Sequence, residues 1–252
     1  MQTAIKIGDR EVGTGRASYI IAEIGTNHNQ DLDLAREMID LCAASGVDAV
    51  KFQSIRYDQI YASSQDDKDF RSWFKQIELD EAWHLELAIY ARGAGVEFLS
   101  SATYPGAIEL LEKCNVLAYK LASPQIQGNL PLVRSVAEIG KPIFFSIGYS
   151  DYGDIATAMK IFRDAGNESV IPLHCTSKYP TPSSETNLRF MATLAAMTGR
   201  PVGYSDHTMG IHVPVAAVAL GACVIEKHVT MDPNAAGPDH HFALPLSDLP
   251  DM

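Results

Sequence analysis

The feature that most constrains this chain is a repeated alternation. Short apolar runs are followed by helix-period segments along its whole length, the pattern of successive β-α units around a parallel sheet. Eight candidate strands are read at Tyr19–Glu23, Ala49–Gln53, Glu97–Ser100, Ala118–Leu121, Ile143–Ser146, Val170–His174, Val202–Tyr204 and Cys223–His228. A glycine joint recurs ahead of them, at Gly46, Gly95, Gly140, Gly166, Gly199 and Gly221, where a helix ends and turns into the next strand. Two intervening helices can be tested on spacing. Leu32, Ala35, Ile39 and Cys42 follow Asp31, and Ile155, Ala158, Met159 and Phe162 follow Asp151; each set lies on one face behind a capping residue.

Eight such units in 252 residues match one closed (β/α)8 TIM barrel spanning 1–252. A doubly wound open sheet would open on a glycine-rich phosphate loop, which the stretch from Ile24 to Asn29 is not. Residues 2–16, with Gly8 and Asp9 between two alternating stretches, predict an N-terminal β-hairpin that plugs the barrel's N-terminal mouth. The connection from Ser54 to about Leu79 is long and rich in Asp, Gln and Ser, and is expected to cover a substrate. After the eighth strand, Ser247 or Asp248 stands where an eighth helix would be capped, so the last helix is expected to be truncated or missing.

Composition removes several classes of function. With 20 Lys and Arg against 31 Asp and Glu, the net charge is −11, so nucleic acid is an unfavourable partner. Any anionic ligand must be met by a local positive cluster. No run approaches the ~20 apolar residues of a membrane span, and the N-terminus has no basic stretch leading into an apolar one. Four scattered cysteines without a Cys-x-x-Cys pair read as reduced thiols of a cytoplasmic protein.

In a barrel, side chains at the C-terminal strand ends converge on one mouth. Here they are Glu23 with Asn27 and His28; Lys51 and Gln53; Ser100 and Ser101; Lys120 and Ser123; Ser146; His174 with Thr176, Ser177 and Tyr179; Ser205 and His207; and Glu226 and His228. A lone strand lysine can be a structural partner for a glutamate. Two from different strands, with the hydroxyls of Ser123, Ser146 and Ser205, make a pocket for a phosphate and a carboxylate. His174 alone reads as a structural imidazole, and Glu23 as a carboxylate that could simply pair with a lysine. His207 and His228 end adjacent strands, where a spacing of ~5 Å lets both reach one divalent cation, with Glu226 and Asp206 nearby. Two imidazoles leave open positions, as a Lewis-acid site requires. Tyr179 could instead pack on the neighbouring prolines, and Asp239 could cap a turn.

The segments from Ile21 to Asn29, Val50 to Gln53, Tyr119 to Ser123, Leu173 to Pro182, Gly203 to Thr208 and Glu226 to His228, followed by Gly237 to His240, together resemble the sialic acid synthase family. The resemblance implies a barrel enzyme that condenses phosphoenolpyruvate with an N-acetylated amino sugar such as N-acetylmannosamine. A 2-keto-3-deoxy sugar acid and phosphate would result. It implies that His207 and His228 hold a divalent ion, Mn2+ first with Mg2+ or Co2+ as alternatives, that polarises the sugar aldehyde. Lys51, Ser101, Lys120, Ser123, Ser146, Ser177 and Ser205 would grip phosphoenolpyruvate, with Glu226 beside them. Glu23 would act near the reacting carbons, and Gln53, Tyr179 and Asp239 would face the sugar. Gln125 stands where the family usually has a sugar-binding carboxylate, a departure that bears on acceptor choice. The family commonly adds a C-terminal antifreeze-like domain, which this sequence does not include. A homodimer is the default assembly. The competing readings are an aldolase forming a Schiff base on Lys120 or Lys51 and a non-catalytic barrel that binds the same ligands.

Overall fold

A computed structural model describes residues 3–61 and 68–252; residue 2 of the expected hairpin and residues 62–67 of the expected covering loop lie outside them. The chain opens with an antiparallel hairpin, β1 (Ala4–Ile7) and β2 (Arg10–Gly13). Eight parallel strands follow: β3 (Tyr19–Gly25), β4 (Ala49–Ser54), β5 (Glu97–Ala102), β6 (Tyr119–Leu121), β7 (Ile143–Ser146), β8 (Val170–Cys175), β9 (Gly203–Asp206) and β10 (Val224–Thr230). Each bonds to the next, and β10 bonds to both β9 and β3, so the sheet closes into the predicted barrel. All six glycine joints hold the left-handed backbone a helix-ending turn needs.

Helices α1 (Leu32–Ala44), α2 (Tyr57–Ile60), α3 (Lys68–Lys75), α4 (Trp83–Gly93), α5 (Pro105–Lys113), α6 (Ser123–Gly128), α7 (Leu130–Glu138), α8 (Tyr152–Asp164), α9 (Phe190–Thr198) and α10 (His212–Ala219) fall between the strands. The Asp31 carboxylate accepts from the Asp33 and Leu34 amides, and Asp151 forms a reciprocal capping box with Asp154. The α1 face buries Ala35, Met38, Ile39 and Cys42. On α8, Ile161 takes a buried place where Met159 was expected, and Met159 is only half-buried.

Alternation along each strand sorts its side chains into two layers. Outward residues such as Val50, Phe52, Phe98, Tyr119, Phe145 and Ile225 pack beneath the helices. Inward residues near the strand starts meet the hairpin: Ile5, Ile7 and Val12 cluster with Ile21, Ala49, Leu99, Ala118, Phe144, Ile171, Leu173 and Val224. The hairpin therefore plugs the N-terminal mouth, as its alternation predicts.

The long connection holds helices the sequence did not predict, and the last helix is, as expected, not a full one. The connection after Ser54 carries α2 and α3, because Tyr57, Tyr61, Phe70 and Phe74 build a small aromatic cluster of their own around Ile55. None of its described residues lines the central cavity. After β10, a short strand β11 (Leu244–Pro245) runs parallel to it, and a 3-10 helix at Leu246–Asp251 buries Leu246 and Leu249 in the outer core near α1. Pro250, inside this turn, lacks the amide that an α-helix would bond back to the carbonyl of Leu246. The Ser247 hydroxyl donates to Asp248 and caps nothing. Among the described residues, no helix is long and apolar enough to cross a membrane.

Candidate active site

The C-terminal mouth holds a cavity of about 220 Å3 whose floor is an ion-pair network. Lys51 Nζ lies 2.7 Å from Glu23 Oε2 and 3.7 Å from Glu226 Oε2, and donates to Ser101 Oγ at 3.0 Å. Lys120 Nζ lies 3.3 Å from Glu226 Oε1, which also accepts from Ser205 Oγ at 2.8 Å. Gln53 Nε2 donates to Glu23 Oε1 at 2.9 Å. Lys51 thus does both things weighed for it: it pairs with glutamates and it lines the cavity.

Burial and pairing compete at each of these groups. Burial raises Glu23, and Glu226 adds to this against the pull of Lys51, leaving the Glu23 carboxyl at about 7. Burial also works against the Glu226 carboxylate, but Lys120 and Lys51 outweigh it and hold the group at about 2. For Lys51, Glu226 and Glu23 overcome desolvation and raise the ammonium above its ordinary value. For Lys120 desolvation wins over Glu226 and the amine is lowered.

A hydroxyl-bearing wall stands beside this floor. The Gly148 amide, two residues past the end of β7, donates to Ser123 Oγ at 2.8 Å. A Cβ at Gly148 would lie 2.2 Å from Ser177 Oγ and 3.1 Å from both Cys175 Sγ and Ser123 Oγ, so only glycine lets these strand ends close together. The hydroxyls of Ser146 and Ser177 are buried without a hydrogen-bond partner, a costly state unless a ligand takes them up.

Opposite stand the two histidines, ring centroids 5.5 Å apart. His207 Nδ1 meets the Thr176 carbonyl at 2.9 Å; a carbonyl only accepts, so this nitrogen carries the proton and Nε2 keeps its lone pair. His228 Nδ1 is buried with no hydrogen-bond partner, 3.6 Å from Asp239 Oδ2. Desolvation lowers both imidazoles and keeps them neutral, the state in which histidine ligates metal. Phe242 packs on both rings, and Tyr179 lies 4.3 Å from His207, centroid to centroid. The pair fits a cation with open coordination positions. Among the described residues no group of three or more His, Cys, Asp or Glu is placed to hold a metal, so a cation on these two imidazoles would draw its remaining ligands from substrate or water.

Glu23, Lys51, Gln53, Ser101, Lys120, Ser123, Ser146, Tyr179, Ser205, His207, Glu226 and His228 all line the one cavity. Tyr179 stacks toward His207 and Phe242 in addition to preceding prolines. Asn27, His28, Ser100 and Thr176 of the strand-end set do not line the cavity, and three residues given by the resemblance also stand outside its wall. Asp239 sits at its margin between Thr26 and His228, so its side chain caps no turn; Ser177 lies behind Gly148; and Gln125 is buried in the first turn of α6, with Oε1 unpartnered. Asp206 is corrected: it points outward and pairs with Lys227, away from the histidines. His174 also points outward and bonds the Thr186 carbonyl at 2.7 Å, as its structural reading holds. Cys175, Thr103 and Tyr149 line the cavity and were not singled out from sequence. For Cys175 the signal existed, since it follows the inward Leu173 by two residues.

Comparison with known proteins identifies the family. The NeuB family model matches residues 38–252. The chain is 38% identical over 248 residues to the N,N'-diacetyllegionaminic acid synthase of Campylobacter jejuni, covering 93% of this chain and 74% of that protein. It is 33% identical over 254 residues to the N-acetylneuraminate-9-phosphate synthase of Homo sapiens, covering 96% and 70%. The crystal structure of an N-acetylneuraminic acid synthetase from Leptospira borgpetersenii superposes with a TM-score of 0.93 at 32% identity, over 99% of this chain and 86% of that one. With a family model matching most of its length and named synthases matching nearly all of it, this chain belongs to the NeuB family of enzymes.

Proposed function

We propose that this enzyme condenses phosphoenolpyruvate with an N-acetylated amino sugar of the N-acetylmannosamine kind, giving a sialic-acid-like 2-keto-3-deoxy sugar acid and phosphate. One observation carries the reading: two buried lysines bracketing Glu226, with unpartnered hydroxyls beside them, face two neutral histidines across a single small cavity. Lys51, Lys120, Ser123, Ser146 and Ser205 bind and orient phosphoenolpyruvate through charge-assisted and hydroxyl hydrogen bonds. A divalent cation held by His207 and His228, Mn2+ first and Mg2+ or Co2+ as alternatives, would polarise the sugar aldehyde.

The chain's own residues manage the rest. Gln53, Tyr179 and Asp239 face the sugar and set its aldehyde against C3 of phosphoenolpyruvate. As the new carbon–carbon bond forms from the enol π electrons, water adds at C2. Glu23, with a carboxyl at about 7, is poised to accept and return a proton near neutrality. It relays one proton of that water to the former aldehyde oxygen. The other leaves with phosphate as the C2 carbonyl forms. Ser101 lines this pocket beside Lys51, and Ser177 and Gln125 support it from behind.

The test is phosphate release from phosphoenolpyruvate, with and without Mn2+, across sugars carrying one or two acetamido groups, because the relatives are named for both kinds of product. Metal-stimulated release with one sugar, lost in His207→Ala, is the expected result. Saturable phosphoenolpyruvate binding with no release for any sugar would overturn it. A second reading rests on Lys120, whose amine is lowered by burial and so is a better nucleophile. A pyruvate aldolase of that kind needs no metal and is trapped by borohydride. Four unpaired, buried thiols fit a cytoplasmic setting, and a homodimer is the assembly to seek by sedimentation.

A further inference from the structure

Behind the two histidines, on the outward face of the same strands, lies an ion pair that touches neither the cavity nor water. Asp206 and Lys227 are register partners on β9 and β10, each 1% exposed. Lys227 Nζ donates to Asp206 Oδ2 at 2.6 Å and to the Thr208 carbonyl. Thr208, fully buried, donates from its amide to Asp206 Oδ1 at 3.1 Å and from its hydroxyl to Oδ2 at 3.0 Å. His207 is the middle residue of the turn these bonds close, and His228 is the residue after Lys227. The loop bearing one histidine is thereby tied to the strand bearing the other by a route that bypasses the cavity.

Burying two charges is costly, and a well-packed apolar pair of similar volume is often as stable or more so. Stability alone therefore does not account for an aspartate and a lysine here. What an apolar pair lacks is the means to hold the Thr208 amide, hydroxyl and carbonyl at once, and so to fix the backbone on either side of His207. The rings' own hydrogen bonds are few: His207 Nδ1 meets the Thr176 carbonyl at 2.9 Å and Cys175 Sγ at 3.9 Å, and His228 Nδ1 has none, so the rings otherwise rest on packing against Phe242 and Tyr179.

We propose that Asp206 and Lys227 are positioning residues that hold His207 and His228 at the spacing needed to ligate one divalent cation together. The proposal rests on the metal reading given above. Its test uses the double variant Asp206→Leu with Lys227→Met, which removes both charges at near-constant volume and leaves no buried ion unpaired. Mn2+ affinity is measured by titration calorimetry without substrates, and phosphoenolpyruvate affinity and the thermal melt are measured alongside. The variant is expected to bind Mn2+ about 10- to 100-fold more weakly, the range typical of losing groups that orient metal ligands. Its phosphoenolpyruvate affinity should move by less than about twofold and its melt should stay cooperative. Lys227→Arg, which keeps the charge and its donors, should restore most of the Mn2+ affinity relative to Lys227→Met alone. Unchanged Mn2+ binding in the double variant, where the wild-type chain binds, would overturn the clamp and leave the metal reading standing. No Mn2+ binding by the wild-type chain, with phosphoenolpyruvate still bound, would overturn both. Equal loss of both ligands would show a general structural role and overturn the positioning role.

Discussion

The two mouths of the barrel are built by the same strands, two residues apart, and share almost no chemistry. Going inward position to inward position, Ile21 gives way to Glu23, Ala49 to Lys51, Leu99 to Ser101, Ala118 to Lys120, Phe144 to Ser146, Leu173 to Cys175, Gly203 to Ser205 and Val224 to Glu226. Below the step, apolar side chains pack on the hairpin and stay dry. Above it, charged and hydroxyl groups surround a cavity, several with hydrogen-bonding capacity unmet. One end can gain stability from every contact. The other holds like and unlike charges together in a buried place and gives up stability to do so.

That contrast can be broken or sharpened by substitution. The largest effect is expected for Lys120→Met: product formation should fall about 10²- to 10³-fold, as for loss of one preorganised charged donor. Its melting temperature should not fall, and a melt lowered by 10 °C or more would mean the mouth is structural after all. Phe144→Ala, one step below the divide, should cost about 3–5 kcal/mol in denaturant unfolding. Its turnover at a temperature where it stays folded should remain near that of the parent; a large loss of turnover there would erase the division between the layers. Gly148→Ala forces a Cβ onto Ser177, and should raise the KM for phosphoenolpyruvate about tenfold, which is about 1.4 kcal/mol. An unaltered KM would remove the Ser123–Gly148–Ser177 wall from the binding site. Ile5→Val in the plug should cost about 1 kcal/mol and change no kinetic constant. The smallest effect is a null one: burial pushes the thiols of Cys223 below the divide and Cys175 above it up to about 12 and about 11, so neither should react with a disulfide reagent at pH 8 before unfolding. Reaction of Cys175 alone would show that the mouth opens more widely than the plug.

Much of this was legible in sequence because the barrel repeats one simple rule. The strands were located to within a few residues by their apolar runs, and Asp31 and Asp151 cap as their positions before α1 and α8 predict. Most of the strand-end side chains read from sequence line the one cavity, while Ser100 and His174 bond away from it. Their facing was less well read, although period two holds the answer: once Leu173 and Gly203 are placed inward, Cys175 must follow and His174 and Asp206 must turn away. The aromatic cluster around Tyr57 was hidden by the polar residues interspersed with it. The 3-10 turn at Leu246–Asp251 follows from Pro250, whose missing amide interrupts a run too short to show a helical period. Charge state was beyond reach altogether, because Glu23 and Glu226 have the same side chain and differ in their neighbours: Lys51 and Gln53 beside the first, Lys120, Lys51 and Ser205 beside the second.

Closure of the sheet by β3 and β10 also sets the order in which the protein can be made. The Ser18 hydroxyl bonds the Ala222 carbonyl across 204 residues, and the Asn27 amide bonds the Val229 carbonyl across 202. At about 5–20 residues per second, a ribosome needs roughly 10–40 s between delivering one partner and the other. For that interval one edge of β3 waits without its mate, and Glu23 without Glu226 and His228. The C-terminal mouth is therefore completed only late in the making of each new chain, when β10 arrives to close the sheet on β3.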